Sequence, residues 1–284
     1  MNTDLNVDRP LFLRVDGVAV HPTAAAVSSL DRGLCYGDGV FRTVRLAGGR
    51  VTAWARHARK LDADCLRLGL PMADRGRIER DLADLGALHP ECVARITVTS
   101  GTSARGYRRP AAVAPATLVV GSALPAWPAT FRTQGVAVRV CNLRLGTQPA
   151  LAGVKHLNRL EQVLARSEWA DPAIAEGLTL DQDGNAICGT MTNLFVLEGQ
   201  RLVTPALHRC GVAGVQRERI LDWAAAQSIP TAVEPISVDR LWAADALFLS
   251  NSVIPVWWVS RLDTQVFDPP PWISVLGAAL DRDD

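Results

Sequence analysis

Short runs of mainly hydrophobic residues lie near the start of the chain and predict β-strands. Residues 11–15 and 18–20 flank the turn pair Asp16-Gly17, and a second pair of runs flanks Gly48-Gly49. Glycine in these pairs supplies the left-handed backbone that a tight hairpin turn requires. We therefore predict two β-hairpins in this part of the chain.

The pattern then changes to a helical period. Apolar residues recur at three- and four-residue spacing over 54–68, and Gly69 ends the run. This spacing places them on one face of a helix. A second helix is predicted over 75–85, followed by strands over 94–100 and 116–123. Strands, then helices, then strands indicate an α+β arrangement rather than a regular βαβ series.

The second half of the chain also mixes strands and helices. We predict a helix that opens at Lys155 and carries Leu157, Leu160, Val163 and Leu164 on one face. The other predicted elements are strands over 135–140, within 177–205, over 246–250 and over 253–259, a helix over 215–227 and a short C-terminal helix. A proline-rich stretch near the middle predicts an N-terminal domain of residues 1–122, a linker of 123–129 and a C-terminal domain of 130–284.

Composition narrows the class of protein. The 284 residues carry 30 Lys and Arg against 29 Asp and Glu, and 48% of them are hydrophobic. A chain of this length holds about two domains, and its balanced charge argues against nucleic-acid binding, which needs a basic surface. Residues 110–131 are uncharged, but four prolines interrupt them. We therefore predict a buried strand and a linker there rather than a membrane span.

The spacing of the cysteines and histidines helps to predict the cellular compartment of the protein and whether it binds a metal ion. The six cysteines are scattered without a C-x-x-C pair, and the first fifteen residues lack an apolar signal segment. We therefore expect a cytoplasmic protein with free thiols. The five histidines show no metal-ligand spacing, so we expect no structural or catalytic metal.

Only two of the 30 basic residues are lysines, Lys60 and Lys155. Arginine can replace lysine at exposed sites, but it cannot supply a neutral primary amine because guanidinium keeps its proton in proteins. Both lysines are therefore candidates for amine chemistry, with accidental retention as the open alternative. At the predicted start of a helix, the dipole would disfavour the charged form of Lys155 and favour an amine that attacks carbonyls.

The turn Gly211-Val-Ala-Gly214 precedes a predicted helix and is a candidate anion site. Small residues there would let the backbone N–H groups of Val215 and Gln216 reach a phosphate, whose charge the helix dipole favours. Glycine before a helix is common, so this pattern alone is a weak signal. A carbonyl-reactive lysine and a phosphate cradle in one chain fit one cofactor, pyridoxal 5′-phosphate (PLP).

Longer strings carry a resemblance to a known family. They are Asp31-Arg-Gly-Leu-Cys-Tyr-Gly-Asp-Gly-Val-Phe41, Leu151-Ala-Gly-Val-Lys-His-Leu-Asn-Arg-Leu-Glu-Gln162, Thr190-Met-Thr-Asn-Leu-Phe195 and Gly211-Val-Ala-Gly-Val-Gln-Arg217. In order and spacing they resemble the fold-type IV PLP enzymes of the class IV aminotransferase family. The string around Lys155 is more similar to the lyase branch of that family than to the aminotransferases. The resemblance implies a two-domain α/β fold like that of D-amino acid aminotransferase, a homodimer, and PLP held between the domains on Lys155.

The resemblance also implies cofactor contacts beyond the lysine. Lys60 aligns with the family's phosphate-binding arginine, with Arg59 as the alternative if the register slips by one. Asn251 and Ser252, at the end of an apolar strand, resemble further phosphate contacts of the family. Lysine would meet phosphate as a point charge, without the two-pronged geometry of arginine.

One position departs from the family pattern. The family places a glutamate against the pyridine nitrogen five residues before Asn-Leu-Phe, and Cys188 stands there in this chain. A thiol would leave the ring less protonated, unless Cys188 ionises to a thiolate. Two interpretations stay open: the change disfavours transamination relative to elimination, or a different register or a neighbouring group supplies the missing charge.

For the lyase branch, the implied substrate is 4-amino-4-deoxychorismate, which carries two carboxylates. Arg105 and Tyr107 lie in an Arg-Gly-Tyr string that resembles the family's, and they would bind a carboxylate. Thr43, Asn158 and Arg42 are weaker candidates for contact with the substrate. Lys155 would act as the general base, and the products would be 4-aminobenzoate and pyruvate.

Two other functions stay open. An aminotransferase for D- or branched-chain amino acids would share Lys155 and the phosphate site, but it needs a well-protonated ring, which Cys188 does not obviously provide. A relative without activity, serving as a binding subunit, would fit the changes at positions 60 and 188. We expect no nucleic-acid or membrane partner.

Overall fold

The computed structural model describes residues 10–22, 24 and 27–281 of the chain. The chain divides into two units between Pro125 and Ala126. This division falls inside the predicted linker, whose bounds at 123 and 129 stay a prediction. The predicted domain ends, 1–9 and 282–284, lie outside the described residues.

The first unit is a six-stranded sheet with helices packed on it. Its elements are β1 (Phe12–Val15), β2 (Val18–Ala19), α1 (Arg32–Tyr36), β3 (Gly39–Ala47), β4 (Arg50–Val51), α2 (Trp54–Arg67), α3 (Arg75–Leu88), β5 (Cys92–Thr99) and β6 (Ala116–Ser122). The strands lie in the order β2-β1-β6-β5-β3-β4, and all neighbours are antiparallel. Both predicted helices are confirmed, since α2 buries Leu61 and α3 buries Ile78 on an apolar face.

The second unit is a mixed sheet that closes on itself. Its elements are α4 (Thr130–Thr133), β7 (Val136–Leu145), α5 (Leu160–Arg166), β8 (Ile174–Asp181), β9 (Ala186–Gly189), β10 (Asn193–Glu198), β11 (Arg201–Pro205), α6 (Val215–Ala226), β12 (Thr231–Glu234), α7 (Val238–Trp242), β13 (Ala246–Ser250), β14 (Trp257–Leu262), β15 (Gln265–Val266) and α8 (Ile273–Leu280). Strands β10, β13, β14, β7, β8 and β9 pair in that order, and β9 pairs again with β10. This closure removes edges that would otherwise expose unpaired backbone groups.

Alternate residues of the second sheet enter different apolar clusters. Leu194 and Val196 of β10 join a buried cluster drawn mainly from the strands of the closed ring. Phe195, between them, packs with Ile220 of α6 and Leu276 of α8. Successive side chains of a strand point to opposite faces of the sheet. Both faces of β10 are therefore covered by apolar side chains.

Two predicted elements differ from the structure. The helix predicted at Lys155 begins only at Leu160, and the strand predicted over 253–259 begins only at Trp257. Before Trp257 the chain forms a turn in which the side-chain oxygen of Asn251 accepts two backbone hydrogen bonds of 2.8 Å. A side chain that binds the backbone in this way competes with strand pairing.

Candidate active site

Lys155 lies in the loop between β7 and α5, and its side chain is partly buried. We call residues 151–159 the Lys155 loop. Helix α5 begins five residues after the lysine, at Leu160. The expectation that a helix dipole acts on Lys155 is therefore wrong, because the dipole falls off within the first turn of its own helix.

Backbone hydrogen bonds hold the Lys155 loop against the turn that precedes α6. The N–H of Gly153 donates to the carbonyl of Gly211 over 3.0 Å, and the N–H of Ala213 donates to the carbonyl of Gly153 over 3.1 Å. Gly153 and Gly211 have φ angles of 78° and 82°, which favour glycine. The predicted amine and the predicted anion cradle are thus neighbours within the second unit.

Helix α6 begins at Val215, as predicted, and no side chain caps its start, because its N-cap residue is Gly214. A β-carbon at Gly214 would collide with the side-chain oxygen of Asn193, whose amide nitrogen donates to the 211–214 turn over 2.8 Å. The side chain of Gln216 accepts a hydrogen bond from Arg219 over 3.1 Å. The groups that α6 offers at its start are therefore its backbone N–H groups.

Cys188 lies on β9 with its side chain buried, and its Sγ is 3.5 Å from the hydroxyl oxygen of Thr179 on β8. Burial raises the pKa of the Cys188 thiol to about 11, and the charge of Glu176 contributes to the rise. The cations Arg159 and Lys155 act in the opposite direction, so both lie within electrostatic reach of the thiol. Burial therefore favours the neutral thiol over the thiolate.

Glu176 is a buried carboxylate that sequence reasoning missed. It lies on β8 and is 0% exposed. Five hydrogen bonds of 2.5–3.1 Å reach its oxygens, from the N–H groups of Gly177, Thr190 and Met191 and the hydroxyls of Thr190 and Thr192. These bonds fix the turn between β9 and β10, and with it the strands that carry Cys188 and Asn193. A lone glutamate in an apolar strand is the signal that could have revealed it.

The predicted cofactor residues after β13 hold their own loop together. The amide nitrogen of Asn251 donates to the carbonyl of Met191 over 3.2 Å, which joins this loop to the turn between β9 and β10. Ser250 is buried and donates to the carbonyl of Pro255 over 2.7 Å. Ser252 is partly buried beside Asn251 and has a hydroxyl to offer a ligand.

The Lys155 loop also carries a side-chain pair that sequence reasoning missed. Arg159 donates a hydrogen bond to Nε2 of His156 over 2.6 Å. Burial, and after it the charge of Arg159, lowers the pKa of His156 to about 4, so the ring is neutral. Asn158, which we predicted to contact the substrate, lies between them with its side chain exposed.

In the first unit, Lys60 belongs to a partly buried ion cluster. Asp64, one turn later on α2, pairs with Lys60 through Oδ1 and with Arg42 of β3 through Oδ2. The side chains of Arg42 and Asp64 are each 2% exposed, and burial lowers the pKa of Arg42 to about 10. Lys60 and Arg42 thus share the carboxylate of Asp64. Arg59 is exposed, and Thr43 is partly buried next to Arg42.

The Arg105-Gly-Tyr107 string lies in a loop that is tied to α1. Arg32 donates to the carbonyls of Gly106 and Tyr107 over 2.9 and 2.8 Å. The hydroxyl of Tyr36 accepts a hydrogen bond from the N–H of Gly106 over 3.1 Å. Arg105 is exposed and Tyr107 is 88% exposed. Both predicted substrate residues therefore project from a loop whose backbone is fixed.

The part of the chain that the structure describes contains neither a metal cluster nor a membrane helix. No three His, Cys, Asp or Glu side chains in it come together as metal ligands would. None of its helices combines the length and the apolar character needed to cross a bilayer. The six cysteines are free thiols.

Residues 39–262 match the family described as amino-transferase class IV. The chain belongs to the class IV aminotransferase family. The matched region runs from β3 to β14 and includes Lys60, Lys155 and Cys188. The resemblance predicted from the sequence strings is thereby confirmed.

Two lyases are among the similar proteins. The chain is 34% identical over 233 residues to an aminodeoxychorismate lyase of Vibrio harveyi, with 82% of this chain and 86% of that protein covered. It is 41% identical to the 4-amino-4-deoxychorismate lyase of Pseudomonas aeruginosa, with a TM-score of 0.89 over 94% of this chain and 97% of that structure. A branched-chain amino acid aminotransferase of Escherichia coli, 21% identical, shares the fold with a TM-score of 0.82 over 94% and 92%. The predicted fold class is confirmed.

Proposed function

We propose that this protein is a PLP-dependent 4-amino-4-deoxychorismate lyase, which forms 4-aminobenzoate and pyruvate. The observation that carries the proposal is the pair of hydrogen bonds between Gly153 and the 211–214 turn, because they set the Lys155 loop beside the uncapped start of α6. An amine close to an anion-binding helix start suits an aldehyde that bears a phosphate. The lyases of V. harveyi and P. aeruginosa support this reaction within the family.

The residues present fit PLP. Lys155 supplies a primary amine, and Gly214 leaves the first turn of α6, a helix of 12 residues, without a side-chain cap. We assign the phosphate of the cofactor to the N–H groups of that turn, with contacts from Val215, Gln216, Lys60, Asn251 and Ser252. We assign the pyridine nitrogen of the cofactor to Cys188.

Lys155 carries the chemistry that we propose. PLP supplies the electron sink for breaking a bond at the carbon that bears the substrate amine. Lys155 would hold the cofactor through Nζ, and as a free amine the same Nζ would remove the proton from C4 of the substrate as a general base. Lys155 returns a proton to the enolpyruvate as the carbon–oxygen bond breaks, so the six-membered ring becomes aromatic and the side product is pyruvate.

Cys188 tunes the electron sink. A buried neutral thiol supplies no negative charge to stabilise a protonated pyridine nitrogen. Glu176, the carboxylate within electrostatic reach, is occupied by five hydrogen bonds to its own turn and neighbours. We therefore favour the interpretation that Cys188 disfavours transamination relative to elimination. Aromatisation of the product provides driving force that a weaker sink can tolerate.

The two carboxylates of the substrate need polar partners. We assign Arg105 and Tyr107 to one of them, because an exposed arginine on a fixed loop can bind a carboxylate through two parallel hydrogen bonds. Thr43 and Asn158 are proposed as further substrate contacts.

We also propose that the protein is a homodimer in the cytoplasm. Leu160, Val163 and Leu164 of α5 are 67%, 57% and 53% exposed, and a continuous apolar helix face is typical of a subunit interface. The free thiols are those expected in a reducing compartment. Light scattering after gel filtration tests the dimer, and a monomer at micromolar concentration would contradict it.

The function is tested in two steps. Borohydride reduction and peptide mapping should find a pyridoxyl label on Lys155. The protein should then release 4-aminobenzoate and pyruvate in equal amounts from 4-amino-4-deoxychorismate. Transfer of an amino group to 2-oxoglutarate without pyruvate release would indicate the aminotransferase instead. A protein that takes no label on either lysine would refute PLP chemistry and favour a binding subunit.

A further inference from the structure

Arg159 is a partly buried cation that forms no ion pair with a carboxylate among the described residues, although the charge of Glu161 acts on it. Its Nε atom is buried and has no hydrogen-bond acceptor there. Its guanidinium donates instead to Nε2 of His156, which is neutral. The carboxylate of nearby Glu161 accepts the N–H of Gly146 over 2.7 Å. Burying a charge without a partner is costly, so this arrangement points to a missing anion.

His156 presents a second donor of the same kind. Because arginine can only donate, Nε2 of His156 accepts and the ring proton lies on Nδ1. That Nδ1 atom is also buried, and within residues 10–22, 24 and 27–281 it has no partner. Buried donors are ordinarily paired. The Nε–H group of Arg159 and the Nδ1–H group of His156, in one short loop, therefore both lack a hydrogen-bond acceptor among the described residues.

These donors belong to the loop that carries the reactive lysine. Arg159 lies four residues after Lys155, and both cations act electrostatically on the thiol of Cys188. The unmatched charge is thus close to the residues to which we assign the cofactor ring. Arg32 differs from Arg159, because its guanidinium donates to three residues of the Arg105 loop.

We propose that Arg159, oriented by His156, binds an oxyanion of the bound reactants beside Lys155. This inference deepens the proposed function and rests on it. The deprotonated hydroxyl oxygen on C3 of PLP and a carboxylate of the substrate share the required chemistry, a negatively charged oxygen. Either would accept a charge-assisted hydrogen bond from Arg159 and remove the penalty of its burial. His156 is then a positioning residue.

The test compares Arg159→Gln with Arg132→Gln, which removes the same charge from the same unit at a side chain that is 77% exposed. If the oxyanion belongs to PLP, Arg159→Gln weakens PLP binding in a fluorescence titration about 10- to 100-fold, the effect of one charged hydrogen bond. The pH midpoint of the visible absorbance of bound PLP then rises. If the oxyanion is a substrate carboxylate, PLP binding is unchanged and KM rises by that factor. Arg132→Gln changes none of these.

Melting of the cofactor-free protein separates ligand binding from a structural role. Removing a partly buried cation without an ion pair should leave the melting temperature of cofactor-free Arg159→Gln equal to or above that of the parent protein. A lower melting temperature together with unchanged PLP affinity and KM would overturn the proposal for Arg159 alone. Absence of a pyridoxyl label from Lys155 in the parent protein would refute the proposed function, and this inference with it.

Discussion

The carboxylate of Asp64 binds Lys60, one helical turn earlier on α2, and shares its second oxygen with Arg42. Lys60 is one of two lysines in the chain and is our proposed contact to a phosphate. A lysine side chain is flexible and lacks the rigid, planar guanidinium of arginine. The ion pair with the buried carboxylate of Asp64 therefore orients the ammonium group of Lys60. Asp64 therefore both positions the proposed phosphate contact and stabilises the folded protein.

Asp64→Asn should lower the free energy of unfolding by about 3 kcal/mol, because breaking a buried ion pair leaves Arg42 charged and uncompensated. Urea unfolding of the cofactor-free protein measures this loss. Asp62→Asn is the matched control on the same helix, since Asp62 is 38% exposed and pairs with a half-exposed arginine. Its effect should stay below about 1 kcal/mol. Equal losses in the two variants would contradict the buried cluster.

Lys155→Ala should abolish covalent attachment of PLP and reduce lyase turnover by about 10³-fold or more, because the general base is removed. The mass of the borohydride-reduced protein reports attachment directly. Lys60→Ala is the natural control, since it removes the other lysine. It should keep the label on Lys155 and weaken PLP binding. If Lys60→Ala lost the pyridoxyl label and Lys155→Ala kept it, Lys60 and not Lys155 would be the residue that attaches PLP.

Periodicity was sufficient where an element buries a continuous apolar face. Helix α2 begins at Trp54 as predicted, because Ala58, Leu61 and Cys65 recur at helical spacing and are buried. The Lys155 loop is the opposite case, since its apolar spacing favoured a helix that the structure does not contain. Its conformation depends on Gly153 bonding to the 211–214 turn, a distant contact that local patterns do not reveal.

The candidate site could likewise be predicted only in part. Lys60 and Lys155 were recognisable because the chain otherwise avoids lysine. Asp64 and Glu176 were not, because their roles come from burial and from partners on other elements, which depend on strand register. Arg159 was hidden among many arginines, and its lack of an anion is visible only in three dimensions.

Cys188→Glu should increase half-transamination relative to elimination, because a carboxylate would favour a protonated pyridine nitrogen. Cys188→Ser is the control of similar size that adds no charge, and it should leave the partition unchanged. Pyridoxamine phosphate and pyruvate formed per turnover give the ratio. An unchanged ratio in Cys188→Glu would remove the tuning role that we assign to this position.

His156 should make stability depend on pH between about 4 and 6.5. Burial and Arg159 lower its pKa in the folded protein to about 4, below the ordinary value of 6.5. In this window the unfolded chain binds a proton that the folded protein does not, so the free energy of unfolding rises with pH. His156→Gln should flatten this rise in urea unfolding, whereas His208→Gln, at an exposed histidine, should not. Parallel pH profiles for the two variants would show that His156 is not held neutral.

The five hydrogen bonds to Glu176 have a consequence for motion at the site. Opening the turn between β9 and β10 would leave a carboxylate stranded in the interior, so this turn should open only when the surrounding sheet does. The amide protons of Thr190 and Met191 should therefore exchange with deuterium nearly as slowly as that of Leu194. Strand β9, which carries Cys188, and the turn after it are therefore rigid. We expect this side of the site to select reactants by their shape and not to adapt its conformation to them.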